Sequence, residues 1–245
     1  MITKLEELSI RAWPALETII ADGWVMRFAA GYTKRANSVY PLYPVEEELE
    51  RKIKACESSY ASKQLPPIFK LTPSSQPAGL DFYLAKKGYR ADGRTSVQAL
   101  SLTDVAVPAS QTVRMYEACT DEWLEAFCRL SEKSGSEKQT MSQTLRKIIP
   151  RTCYIALYHE NEVVACGLGV LDSGYIGLYD IVTDSCCRKQ GFGEQLVLHL
   201  LQWGRDNGAE ISYLQVIADN RPALGLYAKL GYQEVYPYWY RIKDL

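Results

Sequence analysis

Histidine is nearly absent from this chain, with only His159 and His199 among 245 residues. The seven cysteines (Cys56, Cys119, Cys128, Cys153, Cys166, Cys186 and Cys187) form no C-x-x-C pair, so the usual zinc ligand sets are missing, and their odd number argues against a disulfide framework. An excess of charge is missing too. Lys and Arg total 28 against 29 Asp and Glu, a formal net charge of -1, which gives no field suited to nucleic acid or an anionic membrane. No apolar run approaches the about 18 residues of a membrane span. The opening Met1-Ile2-Thr3-Lys4-Leu5-Glu6-Glu7 lacks the basic-then-apolar order of a secretion signal. A cytoplasmic protein with no metal and with neither nucleic-acid nor membrane partners is expected.

The ordinary composition, 47% hydrophobic and 23% charged, and the length allow two small domains. Val105-Ala106-Val107-Pro108-Ala109-Ser110 separates two segments that each mix helices and strands. The expected division is 1–105, a linker at 106–111, and 112–245. In the first segment the patterns predict strands over 23–29, 36–42, 68–71 and 95–102 and helices over 45–60 and 79–87. In the second they predict helices over 122–131, 142–149, 192–207 and 222–230. Strands are expected over 152–158, 163–171, 175–183, 211–218 and 234–243, with a turn at Glu160-Asn161. Leu84-Ala85-Lys86-Lys87-Gly88-Tyr89 matches Tyr227-Ala228-Lys229-Leu230-Gly231-Tyr232 at four of six positions, so the segments read as a repeat. His199 falls in an apolar helical stretch and reads as structural; His159 sits at the turn and reads as solvated. The adjacent Cys186 and Cys187 read as loop thiols, because a vicinal disulfide is strained.

The chemistry-bearing stretch is Arg188-Lys189-Gln190-Gly191-Phe192-Gly193, between an expected strand and a helix whose apolar face is Leu196, Val197, Leu200, Leu201 and Trp203. The first amides of a helix lack internal partners and the macrodipole is positive there, so a phosphate is a natural occupant. Glycines at 191 and 193 remove side chains that would hold it off, and Arg188 suits paired bonds to phosphate oxygens. A tight strand-to-helix turn alone would give the same pattern. Downstream, Asn220-Arg221-Pro222-Ala223-Leu224-Gly225-Leu226-Tyr227-Ala228-Lys229-Leu230-Gly231-Tyr232 reads as a helix with an Asn cap, an early Pro and a Gly stop.

Together these two stretches resemble the acetyl-CoA-binding signature of the GNAT superfamily, a Q/R-x-x-G-x-G/A loop followed by N-x-x-A-x-x-x-Y-x-K-x-G-F/Y. The resemblance covers residues 112–245. It implies an α/β (α+β) GNAT fold, a mixed central sheet flanked by helices, with a smaller GNAT-like first domain. That first domain carries no such loop, and Leu84 stands where Tyr227 does. It is read as degenerate and as pairing with the catalytic half to help shape the acceptor pocket.

By the same resemblance, Arg188, Lys189, Gln190, Gly191, Phe192 and Gly193 bind the CoA pyrophosphate, and Ile181, Val182 and Thr183 line the pantetheine arm where two strands part. Asn220 lies near that arm, and Tyr227 protonates the leaving thiolate. A backbone amide near Val182 polarises the carbonyl. Some members use a strand glutamate as base, where Gly177 stands here. Asp180, Asp172 and a water chain remain open, with Asp180 the first candidate. Tyr175, Tyr179, Tyr213, Tyr236, Tyr238, Trp239 and Tyr240 gather at the expected acceptor end and suggest a cationic acceptor. The implied activity is N-acetyl transfer from acetyl-CoA to a primary amine of a small molecule or protein, by a monomer or homodimer. The alternative is a non-catalytic acyl-CoA-binding regulatory module.

Overall fold

The computed structural model describes residues 1–109 and 112–244, so the last two positions of the expected linker lie outside the described residues. The chain forms two compact units, Met1–Ser96 together with the segment from Val235 onward, and Val97–Glu234. No helix among the described residues is long and apolar enough to cross a membrane.

The first unit begins with α1 (Ile2–Ala12), which buries Leu5, Leu8 and Ala12 on one face. Then follow β1 (Glu17–Ala21), β2 (Trp24–Phe28), β3 (Val39–Pro41), α2 (Leu49–Ala61), β4 (Ile68–Leu71), α3 (Leu80–Lys86) and β5 (Arg90–Ser101). The second unit continues with β6 (Thr112–Tyr116), α4 (Asp121–Ser131), α5 (Gly135–Leu145), β7 (Arg151–His159), β8 (Glu162–Asp172), β9 (Tyr175–Thr183), α6 (Phe192–Asp206), β10 (Ile211–Ile217), α7 (Arg221–Lys229) and the start of β11 (Gln233–Ile242). Strand order is β1-β2-β3-β4-β11-β5 in the first unit and β5-β10-β9-β8-β7-β6 in the second. The units trade strands against chain order: residues from Val235 of β11 complete the first sheet, and Val97–Ser101 of β5 enter the second.

The expected strands over 68–71 and 175–183 stand at those limits, and the remaining expected elements shift by a few residues at their ends. Three elements carried no recognised signal: α1, β1 and β6. The helix expected over 142–149 instead begins at Gly135 and ends at Leu145. Its buried face is Thr140, Met141, Thr144 and Leu145, half of it polar, so apolar spacing marked it poorly.

Around Lys70, the first unit carries a fully buried ion pair. The Lys70 ammonium donates to both Glu6 oxygens at 2.8 and 2.6 Å, with side-chain exposures of 0% and 1%. Tyr236 donates to Glu6 Oε1 at 2.7 Å, and Lys70 Nζ lies 4.0 Å from the Tyr238 ring centroid and 4.9 Å from that of Tyr40. Three of the tyrosines suggested for an amine acceptor, Tyr236, Tyr238 and Tyr240, are therefore core residues of this unit. The cation faced by Tyr238 is the protein's own. Because an unmatched buried charge is costly, Glu6→Gln is expected to destabilise the protein by about 3–5 kcal/mol. Urea unfolding measures this, and an unchanged midpoint would refute it.

In the second unit, even-numbered residues Ile176 and Leu178 of β9 and Leu214 and Val216 of β10 pack with Leu196, Val197, Leu200 and Leu201 of α6. Odd residues of these strands face the opposite side. Thr120 caps α4 by accepting from the Trp123 amide at 3.2 Å. Trp123 stacks on Phe127 at 5.2 Å and meets Tyr154 edge-on at 4.9 Å. The β7–β8 turn places Glu160 and Asn161 at φ 50° and 67°, as its sequence anticipates.

Candidate active site

Strands β9 and β10 pair in parallel from Ile211↔Tyr175 to Leu214↔Leu178, and there the pairing ends although β9 runs on to Thr183 and β10 to Ile217. The other edge of β9 has a bulge. Leu168 pairs with Tyr179 and Cys166 with Val182, which sets Asp180 and Ile181 opposite Gly167 alone. Asp180 adopts φ 51° to make it. The bulge sets which side of the sheet each of these residues takes. Ile181 is turned onto the α6 side, where a Cβ on Gly167 would lie 2.8 Å from Ile181 Cδ1 and 3.2 Å from Leu196. Asp180, half-buried, lies on the α4 side: burial chiefly raises the Cys119 thiol to about 11, against Arg146 and with smaller help from Asp121 and Asp180, and burial chiefly raises Tyr154 and Cys128, to which the Asp180 charge adds a smaller share.

Beyond Thr183 the chain turns through Asp184, whose carboxylate accepts from the Cys186 amide at 2.9 Å. It then enters the glycine loop. Lys189 and Gly191 sit at φ 62° and 86°, and Gly191 is the N-cap of α6 with no side chain to cap it. The first ladder bond runs from Gln195 N to Gly191 O at 3.0 Å, so the amides of residues 192 to 194 precede the ladder. A Cβ on Gly193 would stand 3.1 Å from Thr183 Oγ1, which is why the first turn of α6 can lie against the end of β9. Phe192 is buried and anchors the turn, its ring 5.0 Å from that of His159, while Arg188, Lys189 and Gln190 are exposed. Amides that precede the ladder, an uncapped helix start and adjacent cationic side chains fit a pyrophosphate.

Helix α7 is tied to this turn by Lys229, which bonds Glu194 at 2.5 Å. Asn220 Oδ1 accepts from the Ala223 amide at 3.3 Å, so the residue is a helix cap whatever else it does. Tyr227 is 7% exposed and packs edge-on to Tyr232, ring centroids 5.7 Å apart. Among the described residues no hydrogen bond reaches its hydroxyl, and burial lifts its pKa to about 12.

The candidate bases separate clearly. Asp172 and Tyr175 belong to the β8–β9 turn, at the far end of β9 from the glycine loop, about 25 Å along a strand of this length. Gly177 has no room for a side chain: a Cβ would lie 2.6 Å from Tyr213 Cζ and Oη and 2.7 Å from Tyr179 Cε2. The Tyr179 and Tyr213 hydroxyls are 3.0 Å apart. Sequence alone gave no sign of this pairing, because it depends on the register Tyr213↔Gly177.

A cavity of about 280 Å³ in the first unit, lined among others by Leu71, Gln76, Asp81 and Trp239, contains no comparable chemistry. Asp81 there is already bonded to Arg241 and to the Trp239 indole.

A mixed sheet flanked by helices, with strands that part beside an uncapped glycine turn, defines an N-acetyltransferase of the GNAT class, an acyltransferase. The chain belongs to the family described as "Probable histone acetyltransferase Rv0428c C-terminal", whose model matches residues 1–241. It is 30% identical over 249 residues to the uncharacterized N-acetyltransferase YobR of Bacillus subtilis (strain 168), covering 99% of this chain and 98% of that protein. In fold it is similar to a GCN5-related N-acetyltransferase from Kribbella flavida, with a TM-score of 0.74, 16% identity, and coverage of 100% and 95% of the two chains. It is also similar to a tandem GNAT protein from the clavulanic acid biosynthesis pathway, with a TM-score of 0.68, 15% identity, and coverage of 98% and 87%.

Proposed function

We propose that this protein transfers an acetyl group from acetyl-CoA to a primary amine by direct attack, using the glycine loop and the parted strands β9 and β10. The observation that carries the reading is the helix start at Gly191, whose amides precede the α6 ladder beside exposed Arg188 and Lys189. Backbone amides of residues 188–193 would hold the pyrophosphate. The backbone of Ile181, Val182 and Thr183 would run beside the pantetheine arm, as an added strand runs along an open edge, with Asn220 near it. Acetyl-CoA supplies the acyl group. The protein's share is threefold: an amide near Val182 to polarise the carbonyl, the Asp180 carboxylate to take the proton of the attacking amine, and the Tyr227 phenol to protonate the departing sulfur. In this reading catalysis belongs to the C-terminal segment, and the first domain, lacking the loop, binds no CoA in this way.

The test is CoA-SH release from acetyl-CoA by purified protein across a broad panel of small-molecule and peptide amines. Release with at least one member is expected. Binding of acetyl-CoA with no release for any amine would favour the regulatory-module reading. Thermal-shift ranking across acyl-CoAs tests the donor, and stronger stabilisation by a long-chain acyl-CoA would displace acetyl.

A further inference from the structure

The cavity of about 280 Å³ in the first unit has walls that the fold holds in place. It is framed by the end of β4, the segment from Thr72 to Gly79, the start of α3, and Trp239 of β11, which the β4–β11 register sets beside Leu71. Three bonds pin the segment. The Trp24 indole donates to Gln76 O at 2.9 Å, Gln76 N donates to Pro41 O at 2.9 Å, and Thr72 N donates to Ser75 Oγ at 2.8 Å. A ligand entering such a pocket has little chain to order. Among the described residues that line it, Asp81 alone is ionisable. Its carboxylate accepts from the Trp239 indole at 2.7 Å and from Arg241 at 2.7 and 3.0 Å, and the Arg241 bonds chiefly hold its pKa below the usual carboxylate range, so it is ionised at neutral pH. The Arg241 side chain is 17% exposed and does not line the cavity, whereas 42% of the Asp81 side chain stays open. From within the cavity the charge met is therefore negative, and it stands beside an indole and the buried Leu71 and Leu80.

We propose that this cavity is a binding site for a small organic cation, an ammonium group on an apolar body, with the nitrogen between Asp81 and Trp239 and the body against Leu71 and Leu80. The site belongs to the first unit alone and does not depend on the acetyl-transfer reading. A carboxylate and an indole together favour a cation, through an ion pair and the negative face of the ring. An anionic ligand meets Asp81 and is repelled. A neutral alcohol keeps a hydrogen bond to the carboxylate and forfeits both charge terms. The volume stands at the lower end of small-molecule sites, which suits one ring with a short chain better than a nucleotide. The unit that lacks the glycine loop thus has a ligand of its own.

The experiment is an NMR titration of the full chain carrying isotope-labelled tryptophan, without acetyl-CoA, using phenethylamine as the probe and phenethyl alcohol and phenylpropionate as its neutral and anionic counterparts. Of the five tryptophan indole signals, that of Trp239 is assigned by its loss in Trp239→Phe. Phenethylamine is expected to move this signal saturably, with an affinity about three- to tenfold above that of the alcohol, and phenylpropionate to leave it in place. In Asp81→Asn the preference for the amine over the alcohol is expected to vanish. If that variant does not fold, the three probes on the wild type decide alone. A Trp239 signal unmoved by phenethylamine up to its solubility overturns the proposal. So does equal affinity for amine and alcohol, or a preference that survives in folded Asp81→Asn. Amine bound at the acetylation site moves other signals and does not imitate the result.

Discussion

Tyr227→Phe is expected to lower kcat by about 10²- to 10³-fold, the usual share of a general acid, while acetyl-CoA affinity stays within about twofold. The phenol is held in an apolar setting beside Tyr232, and burial, which penalises phenolate, lifts its pKa to about 12. A group whose pKa is raised this way carries its proton at every pH below that value. The kcat profile should therefore show no descending limb from Tyr227 up to about pH 10. The substitution removes the proton and keeps the ring, so packing against Tyr232 survives. Stopped-flow turnover and isothermal titration with acetyl-CoA separate the two effects. Equal losses in both would reassign Tyr227 to the α7 core, and a limb near neutral pH would assign the proton to another group.

Gly191→Val is expected to weaken acetyl-CoA binding by about 10²-fold or more with little change in the fold. At φ 86° a β-branched residue is strained, although a Cβ there meets no protein atom within 4 Å. The strain is relieved by rotating the loop, which swings the amides of residues 192 to 194 away from a common point. Losing two charge-assisted hydrogen bonds, each worth about 1.5–3 kcal/mol, accounts for the expected drop. Titration of the variant with acetyl-CoA and with 3′,5′-ADP measures it. Wild-type affinity for both would remove the pyrophosphate role from this loop.

The glycine loop and the capped helix were legible in the sequence because each depends on local backbone geometry that only certain residues satisfy. Gly191 and Gly231, at φ 86° and 94°, are glycines for this reason, and Asn220 caps the helix it precedes. Long, strongly patterned elements such as β9 and α6 were legible in the same way. What escaped was set by pairing across the sheet. The Asp180 bulge cancels the simple alternation of β9, so no count along the strand could say which side the carboxylate takes. Tyr213 crosses Gly177 through a register that two separate segments define together. The tyrosines of β11 looked like part of an acceptor site until Lys70 and Glu6, distant in sequence, were seen among them. Strand β1, exposed along its whole length, has no buried stripe for a pattern to mark.

The exchange of strands between the two units governs how the chain is made. A nascent chain synthesised to residue 109 has every other strand of the first sheet but lacks β11, whose Trp239 to Ile242 pair with Leu71 to Ile68. Its N-terminal part emerges with the edge of β4 uncovered and waits for β11 before that edge is closed. On the ribosome, then, the first unit to be translated is not the first that can be finished: the strands of the second are all made once β10 is, and the first still waits for β11.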